Sequence, residues 1–274
     1  MLYLTDEEFQ FITTHIKNNY GVNLTQKKTL IEGRLSNHVT GRGFTNYMDY
    51  FRYAMNPRSA DEMTVLINKL TTNHTYFLRE KEHFEFYEDT VLPWIDKTLK
   101  TRDLRVWSAG CSSGQEPYTL SMITFNYLGP EAANWDSTIL ATDISAKVLH
   151  AAKEGVYTKD DLSELPESWI RRYFVALGDD RYSVTDTIRN NVAFRNFNLL
   201  SPFQFKKPFQ AIFCRNVMIY FDIPTKNEII AKFYDALLPG GYLFIGLSES
   251  LSCCRHKFKF IRPSIYQKPL HAES

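Results

Sequence analysis

The sequence predicts an α/β protein with an all-helical segment in front of it. Near the N-terminus, apolar positions recur at helical spacing; from Leu104 onward, short β-leaning runs alternate with helical ones. A third observation is the stretch Tyr157 to Asn198, which interrupts that alternation with two further strand-like runs. The expected organisation is a helical domain over residues 1–78 and a mostly parallel sheet, covered on both faces, over residues 79–274. A small antiparallel β-subdomain is expected as an insertion near residues 176–198.

The helical elements follow from their caps and periods. Thr5 and Glu8 form a capping box ahead of Phe9, Ile12, Ile16 and Tyr20, and Gly21 ends that helix. A second helix is expected over Gln26 to Thr40, stopped by Gly41 and Gly43, and a third near Thr45 to Met55. Ser59 and Glu62 read as a second capping box, opening a helix with Met63, Leu66, Ile67 and Leu70 inward. Beyond them, Leu104–Ala109, Thr138–Thr142, Gln210–Cys214 and Tyr242–Leu247 read as strands. Gln115–Tyr127, Ser145–Ala152 and Thr225–Leu238 read as helices. Pro239-Gly240-Gly241 is expected to be a turn, and Phe258–Ile261 with Ser264–Gln267 a closing antiparallel pair. In the insertion, the candidate strands are Tyr182–Thr185 and Val192–Phe197.

Composition excludes several classes. A chain of 274 residues with 44% hydrophobic and 23% charged residues is an ordinary globular balance with room for a sizeable core. Its net charge of +1 gives no global field that would point to nucleic acid or a membrane surface. The opening residues are acidic and lack a basic–apolar leader, and no apolar run is long enough to span a bilayer. Cys111, Cys214, Cys253 and Cys254 form no C-x-x-C pair, and the adjacent two would close a strained ring, so reduced thiols in the cytoplasm are expected.

The chemistry concentrates at two strand ends. Gly110-Cys111-Ser112-Ser113-Gly114-Gln115-Glu116 follows a strand and opens a helix. The glycines allow close approach of a ligand to the backbone, and the helix start offers free N–H groups. The dinucleotide fingerprint G-x-G-x-x-G is absent, and Glu116 at the turn would repel a pyrophosphate. A carboxylate there suits a cationic amine, which favours S-adenosylmethionine, a cofactor with an ammonium, a sulfonium and no phosphate. Asp143, at the end of the next strand, stands where such folds grip ribose hydroxyls; a helix N-cap is the plainer role. A plain glycine turn would give the same first segment. The segment also fits the hydrolase elbow G-x-S-x-G, with Ser112 as nucleophile and Asp143 and His256 following in order. Against that, no HGGG-type segment precedes it, and Glu116 would place negative charge near a developing oxyanion.

Two longer segments make a family visible. Thr71-Thr72-Asn73-His74-Thr75-Tyr76-Phe77-Leu78-Arg79-Glu80 and Cys214-Arg215-Asn216-Val217-Met218-Ile219-Tyr220-Phe221 resemble the signatures of CheR-type chemoreceptor methyltransferases. The glycine segment, Asn196–Leu200, Pro239-Gly240-Gly241 and Ser248-Glu249 fit the same resemblance, which covers nearly the whole chain. It implies a class I methyltransferase (Rossmann-like) domain that transfers a methyl group from S-adenosylmethionine to receptor glutamates and leaves S-adenosylhomocysteine. Asn73, Thr75 and Arg79 would then meet the cofactor or the reacting centre. Gly110 and Glu116 would hold the amino end, Asp143 the ribose, Asn198 and Leu199 the adenine. Asn216 and Val217 would complete the pocket, and Arg79 and Tyr220 would serve the acceptor. Without the resemblance, Asn73 reads as a helix cap, Arg79 as a partner of Glu80 or Glu82, and Tyr220 as core.

The acceptor chemistry is consistent with these residues. A glutamate with its ordinary pKa near ~4.3 is already ionised at neutral pH, so neither a general base nor a metal is called for. Residues 9–60 carry seven Lys and Arg against two acidic residues, and Lys27, Lys28, Arg34 and Arg42 cluster around the second helix. That face suits glutamate-rich receptor methylation helices, although a solvated charged face looks the same. In some relatives an inserted β-subdomain holds a receptor C-terminal peptide, a second partner implied here. A monomer without nucleic-acid or membrane binding is expected. Three other functions stay open: a cofactor-binding regulatory module without catalysis, the serine hydrolase, and methylation of small molecules or nucleic acid. No aromatic–proline motif of amino-methylating enzymes follows the Gln210–Cys214 strand.

Overall fold

The structure, a computed structural model, describes residues 2–71, 74–98 and 101–270. Four helices come first: α1 (Asp6–Tyr20), α2 (Lys28–Gly41), α3 (Tyr47–Met55) and α4 (Ala60–Leu70). The capping box of α1 forms in both directions. Thr5 Oγ1 accepts the Glu8 N–H at 3.2 Å, and Glu8 Oε2 accepts the Thr5 N–H at 2.8 Å. The helix stops at Gly21, whose φ of +75° needs no Cβ; a Cβ there would sit 3.0 Å from the Phe221 ring. Ile12, Ile16, Ile31, Leu35, Tyr50 and Leu66 share the core of this unit.

The second expected capping box does not form. Ser59 precedes α4 without a side-chain cap, and Glu62 turns inward instead. It meets His38 Nε2 at 2.6 Å, Arg42 Nη2 at 2.6 Å and the Tyr50 hydroxyl at 3.2 Å. A cap is worth about 1 kcal/mol, and three polar partners for a buried carboxylate outweigh it.

After the linker, α5 (Lys81–Phe86) runs through one π turn into α6 (Leu92–Thr98). The α/β unit follows: β1 (Val106–Ala109), α7 (Gln115–Leu128), β2 (Ile139–Asp143) and α8 (Ala146–Glu154). Next come β3 (Val156–Thr158), α9 (Glu167–Tyr173), β4 (Phe174–Gly178), β5 (Arg181–Val184), α10 (Asp186–Asn190) and β6 (Val192–Asn196). The last elements are β7 (Phe209–Cys214), α11 (Ile223–Ala236), β8 (Leu237–Ile245), β9 (Lys259–Arg262) and β10 (Ile265–Gln267). Seven strands make one sheet in the order β6-β2-β1-β7-β8-β10-β9, with β10 antiparallel to both neighbours.

Alternate residues of the central strands feed two buried layers, as expected for a sheet covered on both faces. Val106, Ala211 and Phe213 face one layer, where the Phe213 and Phe244 rings stack at 4.1 Å. Trp107, Ile212 and Cys214 face the other, where Phe197, Phe203, Phe205, Phe209 and Phe233 surround the indole.

Two sequence expectations shift. The run Val192–Phe197 is not part of the inserted subdomain: as β6 it pairs in parallel with β2, Ile139 opposite Val192, and forms the edge of the main sheet. An edge strand buries one face more than the other, so its alternation resembles that of an antiparallel strand. The inserted sheet is instead β3-β5-β4, which extends earlier, over residues 156–184, and retains only Tyr182–Thr185 of the two candidates, as β5. Pro239-Gly240-Gly241 lies inside β8, where the pairing with β7 slips between Phe209 and Ala211. It is a bulge in a strand, not the turn before one.

The helical unit is fastened to the α/β unit along one seam. Lys17 pairs with Asp222 at 2.7 Å, the Asn23 N–H donates to Tyr220 O at 2.7 Å, and Asn198 Nδ2 donates to Asn19 O at 2.7 Å. The Lys17 hydrogen bond lowers the Asp222 pKa to about 2, helped by the cap it makes on Thr225. Asp222→Asn keeps the cap and loses the ion pair, so it should lower stability by on the order of 1 kcal/mol in urea unfolding. A folded-state pKa below the unfolded one stabilises above the ordinary carboxylate range. The wild-type advantage should therefore disappear as pH falls toward about 2.

Candidate active site

A cavity of about 340 Å³ opens at the C-terminal ends of β1, β2 and β7, where the strand order reverses. Ligands of open α/β sheets bind at such a switch point. The helical unit closes its outer side with Tyr20, Val22 and Ile67.

The loop after β1 is shaped by contacts on both of its walls. Gly110 has φ +91°, and a Cβ on it would lie 2.3 Å from Val217 Cγ2, so only glycine lets the two walls meet. The Gly110 and Cys111 N–H groups donate to Thr142 O at 2.8 and 2.9 Å. Asp143 then ties two loops together: Oδ2 accepts the Ser112 N–H and Oδ1 the Ser145 N–H, each at 2.9 Å. The plainer bracing role is present here. Asp143 braces the start of α8, where Ser145 is the cap, and still lines the cavity. Burial pushes its carboxyl above the usual range, opposed by those N–H donors.

Glu116, in the first turn of α7, accepts Ser108 Oγ at 2.6 Å and Arg215 Nη1 at 2.9 Å. Arg215 also pairs with Glu80 at 3.1 Å, donates to the Arg79 carbonyl, and lies 5.0 Å from the Phe84 ring centre. Its side chain is 3% exposed. One guanidinium thus serves two carboxylates, leaving the cluster one negative charge. Burial raises the Glu116 pKa against the pull of Arg215. Burial acts on Glu80 too, but Arg215, Asn216 and the Leu247 N–H hold it below the usual range. Glu116 therefore shares its one cation with Glu80.

A further wall of the cavity is built from the linker and the loop after β7. Arg79 Nη1 donates to His74 O at 2.8 Å, with the guanidinium 5.9 Å from the Tyr76 ring centre. Of its expected partners, Glu80 pairs instead with Arg215. Asn216 adopts φ +59° and is held from behind by Glu249, a buried carboxylate. That group accepts the Asn216, Ile219 and Gly246 N–H groups at 2.9, 3.0 and 2.6 Å. Tyr220 ends a short 3-10 turn (Met218–Tyr220) against the helical unit and lines the cavity.

The cavity brings together Thr75, Arg79, Gly110, Glu116, Asp143, Asn198, Leu199, Asn216, Val217 and Tyr220. Asn73 lies outside the described residues. Lys27, Lys28, Arg34 and Arg42 do not line it; they lie on or beside α2, and three of them are engaged. Lys28 pairs with Asp6 at 2.5 Å and Arg42 with Glu62, while Arg34 donates to Lys69 O and Leu70 O at 3.3 and 3.0 Å. The hydrolase alternative lacks its base. His256 lies against Phe258 and Tyr266, 5.8 Å from the latter's ring centre, and is not among the cavity residues.

Sequence reasoning missed Arg215, Glu80, Glu249 and Tyr20. Arg215 left a signal: an arginine directly after the apolar strand β7 must sit at a buried strand end and needs an acidic partner there. Nothing in the sequence pairs it with Glu80 and Glu116, which are far away along the chain.

Comparison with known proteins agrees with this geometry. Residues 73–266 match the family described as CheR methyltransferase, SAM binding domain, and residues 7–71 match CheR methyltransferase, all-alpha domain. The chain belongs to the CheR methyltransferase family. It is 39% identical to a chemotaxis protein methyltransferase of Borreliella burgdorferi over 270 residues, covering 97% of this chain and 95% of that one. It is 34% identical to the chemotaxis protein methyltransferase of Escherichia coli, covering 97% and 92%. The protein is an S-adenosylmethionine-dependent methyltransferase of this chemotaxis family. The donor set fits that cofactor: the acidic cluster would meet the ammonium and Asp143 the hydroxyls, between apolar walls.

Glu116→Gln keeps hydrogen-bonding atoms for Ser108 and Arg215 but removes the charge. Cofactor affinity should fall about tenfold or more in calorimetry, the worth of a charged hydrogen bond of about 1.5–3 kcal/mol. Arg215→Met leaves two buried carboxylates without their cation and should cost about 3–5 kcal/mol in urea unfolding.

Proposed function

We propose that the protein methylates glutamate carboxylates on the cytoplasmic methylation helices of chemoreceptors, as a cytoplasmic monomer, with S-adenosylhomocysteine as the second product. The supporting observation is that the cavity carboxylates are already engaged. Glu116 is held by Ser108 and Arg215, and Asp143 by two N–H groups. Both are committed to these contacts, which suits an acceptor that arrives ionised and needs no base. The bound cofactor supplies an electrophilic methyl group on a sulfonium.

The residues of this chain then have to place a carboxylate oxygen in line with that methyl, which is a task of positioning in a dry site. Arg79, in the cavity wall, gives the acceptor a charge-assisted hydrogen bond. Because it is shared with His74 O and the Tyr76 ring, its hold leaves the carboxylate nucleophilic. Tyr220, packed against the helical unit, lines the methyl path. Lys27, with the partly spent charges of Lys28, Arg34 and Arg42, forms the docking face for acidic helices. The inserted sheet offers a second contact, a receptor C-terminal peptide along β4, where Val175 and Leu177 are 54% and 51% exposed. Among the described residues no helix is long and apolar enough to cross a membrane.

Transfer of labelled methyl to receptor cytoplasmic fragments should give a product that releases methanol in alkali. A base-stable product would refute the glutamate ester. Turnover should be flat from about pH 6 to 9, because a group with pKa near ~4.3 is fully ionised there. His74→Ala should leave that profile flat; a rate that rises with pH would mean a base is needed. Arg79→Ala should lower kcat/KM by about a hundredfold, in line with the loss of a charged hydrogen bond. Charge reversal at Lys28 and Arg34 should weaken receptor methylation and spare cofactor affinity.

A further inference from the structure

The turn between β8 and β9 carries two thiols that methyl transfer does not use. Cys253 is exposed and Cys254 half-buried, and their Sγ atoms lie 3.9 Å apart. Neighbouring side chains of an extended strand point to opposite sides. Here the chain bends, with the Cys254 N–H donating to Leu251 O at 2.8 Å, and both sulfurs face the same way. The turn is fixed on each flank. Leu251 is buried with its N–H on the Tyr266 hydroxyl at 3.3 Å, and the Arg255 N–H donates to Asn227 Oδ1 at 2.8 Å.

This spacing suits chelation better than oxidation. Two thiolates bound at ~2.3 Å to one pyramidal soft centre, at an angle of about 95–100°, lie ~3.4–3.5 Å apart, within a small side-chain rotation of the exposed Cys253 from the observed 3.9 Å. A disulfide would draw the sulfurs to ~2.05 Å between Cα atoms only ~3.8 Å apart, below the ~4.4 Å at which disulfides usually begin. Among the described residues no group of three or more His, Cys, Asp or Glu side chains could hold a metal ion. A zinc site, which takes three or four protein ligands, is therefore disfavoured. The pair suits a thiophilic centre that needs two sulfurs and brings its own third substituent.

We propose that Cys253 and Cys254 form a vicinal-dithiol site for trivalent organoarsenicals of the type R–As=O. Two As–S bonds form, the arsenic–oxygen bond is lost, and both thiol protons leave with the oxygen as one water. Arsenic keeps its oxidation state, so no oxidant is required. Burial and the adjacent Cys253 raise the Cys254 thiol, and a reaction that removes both protons as water avoids two free thiolates side by side. Cys111 and Cys214 are buried and do not compete.

The full-length protein should take up one phenylarsine oxide, seen in the intact mass as the arsine less one water and mapped by peptide analysis to Cys253–Cys254. A large excess of monothiol should leave the adduct in place, and a small dithiol should remove it. Cys253→Ser or Cys254→Ser should bind about a hundredfold more weakly, the usual loss when a two-point attachment becomes one-point. Absence of the adduct, stripping by monothiol, single variants that bind as tightly as wild type, or an adduct on Cys111 or Cys214 would each overturn the assignment. Because Cys253 is exposed, Cys253→Ser should fold normally and keeps the test decisive if Cys254→Ser does not.

Discussion

Arg215 is held by two carboxylates and a carbonyl, and the cluster joins three separate parts of the chain. Glu80 and the Arg79 carbonyl come from the linker, Glu116 from the start of α7, and Arg215 itself from the end of β7. Removed from water, a guanidinium with a 3% exposed side chain is tolerable only if its partners stay in place. The converse also holds, since Arg215 is the cation that both Glu80 and Glu116 meet. The cluster therefore fixes the linker against the sheet, and with it the position of Arg79 in the cavity wall.

Glu249 acts in the same way, a layer further out. Its carboxylate gathers three N–H groups from the loops after β7 and β8 and so sets the left-handed backbone at Asn216. Burial raises its pKa while those donors oppose the rise. Asp143 repeats the device on the other side of β1 with the Ser112 and Ser145 N–H groups. The site is thus framed by acidic side chains that stiffen glycine-rich or turning backbone. That rigidity is what in-line transfer needs, because small misplacements of the acceptor are costly when catalysis is mostly positioning.

The helical unit is integral to this frame and not an appendage. Tyr20 and Val22 close the cavity, and the seam through Lys17, Asn19 and Asn23 meets the segment that carries Tyr220 and Asp222. A partner that engages α2 touches the same compact unit that closes the cavity. Much of the positive charge on that face is already answered by Asp6 and Glu62, so a simple count of lysines and arginines overstated its field.

The sequence by itself determined the fold class, the helical unit with its first capping box, and the glycine loop with Glu116 and Asp143. These are local matters of period, cap and turn, written in neighbouring residues. Its long motifs also identified the family. Tertiary structure alone decided which charges meet. Glu62 abandons a cap for His38, Arg42 and Tyr50; Val192–Asn196 joins the main sheet; and Arg215 finds Glu80 and Glu116. Each choice depends on what lies opposite after folding, where burial makes an unpaired charge more costly than a lost local preference. No window of neighbouring residues contains that information.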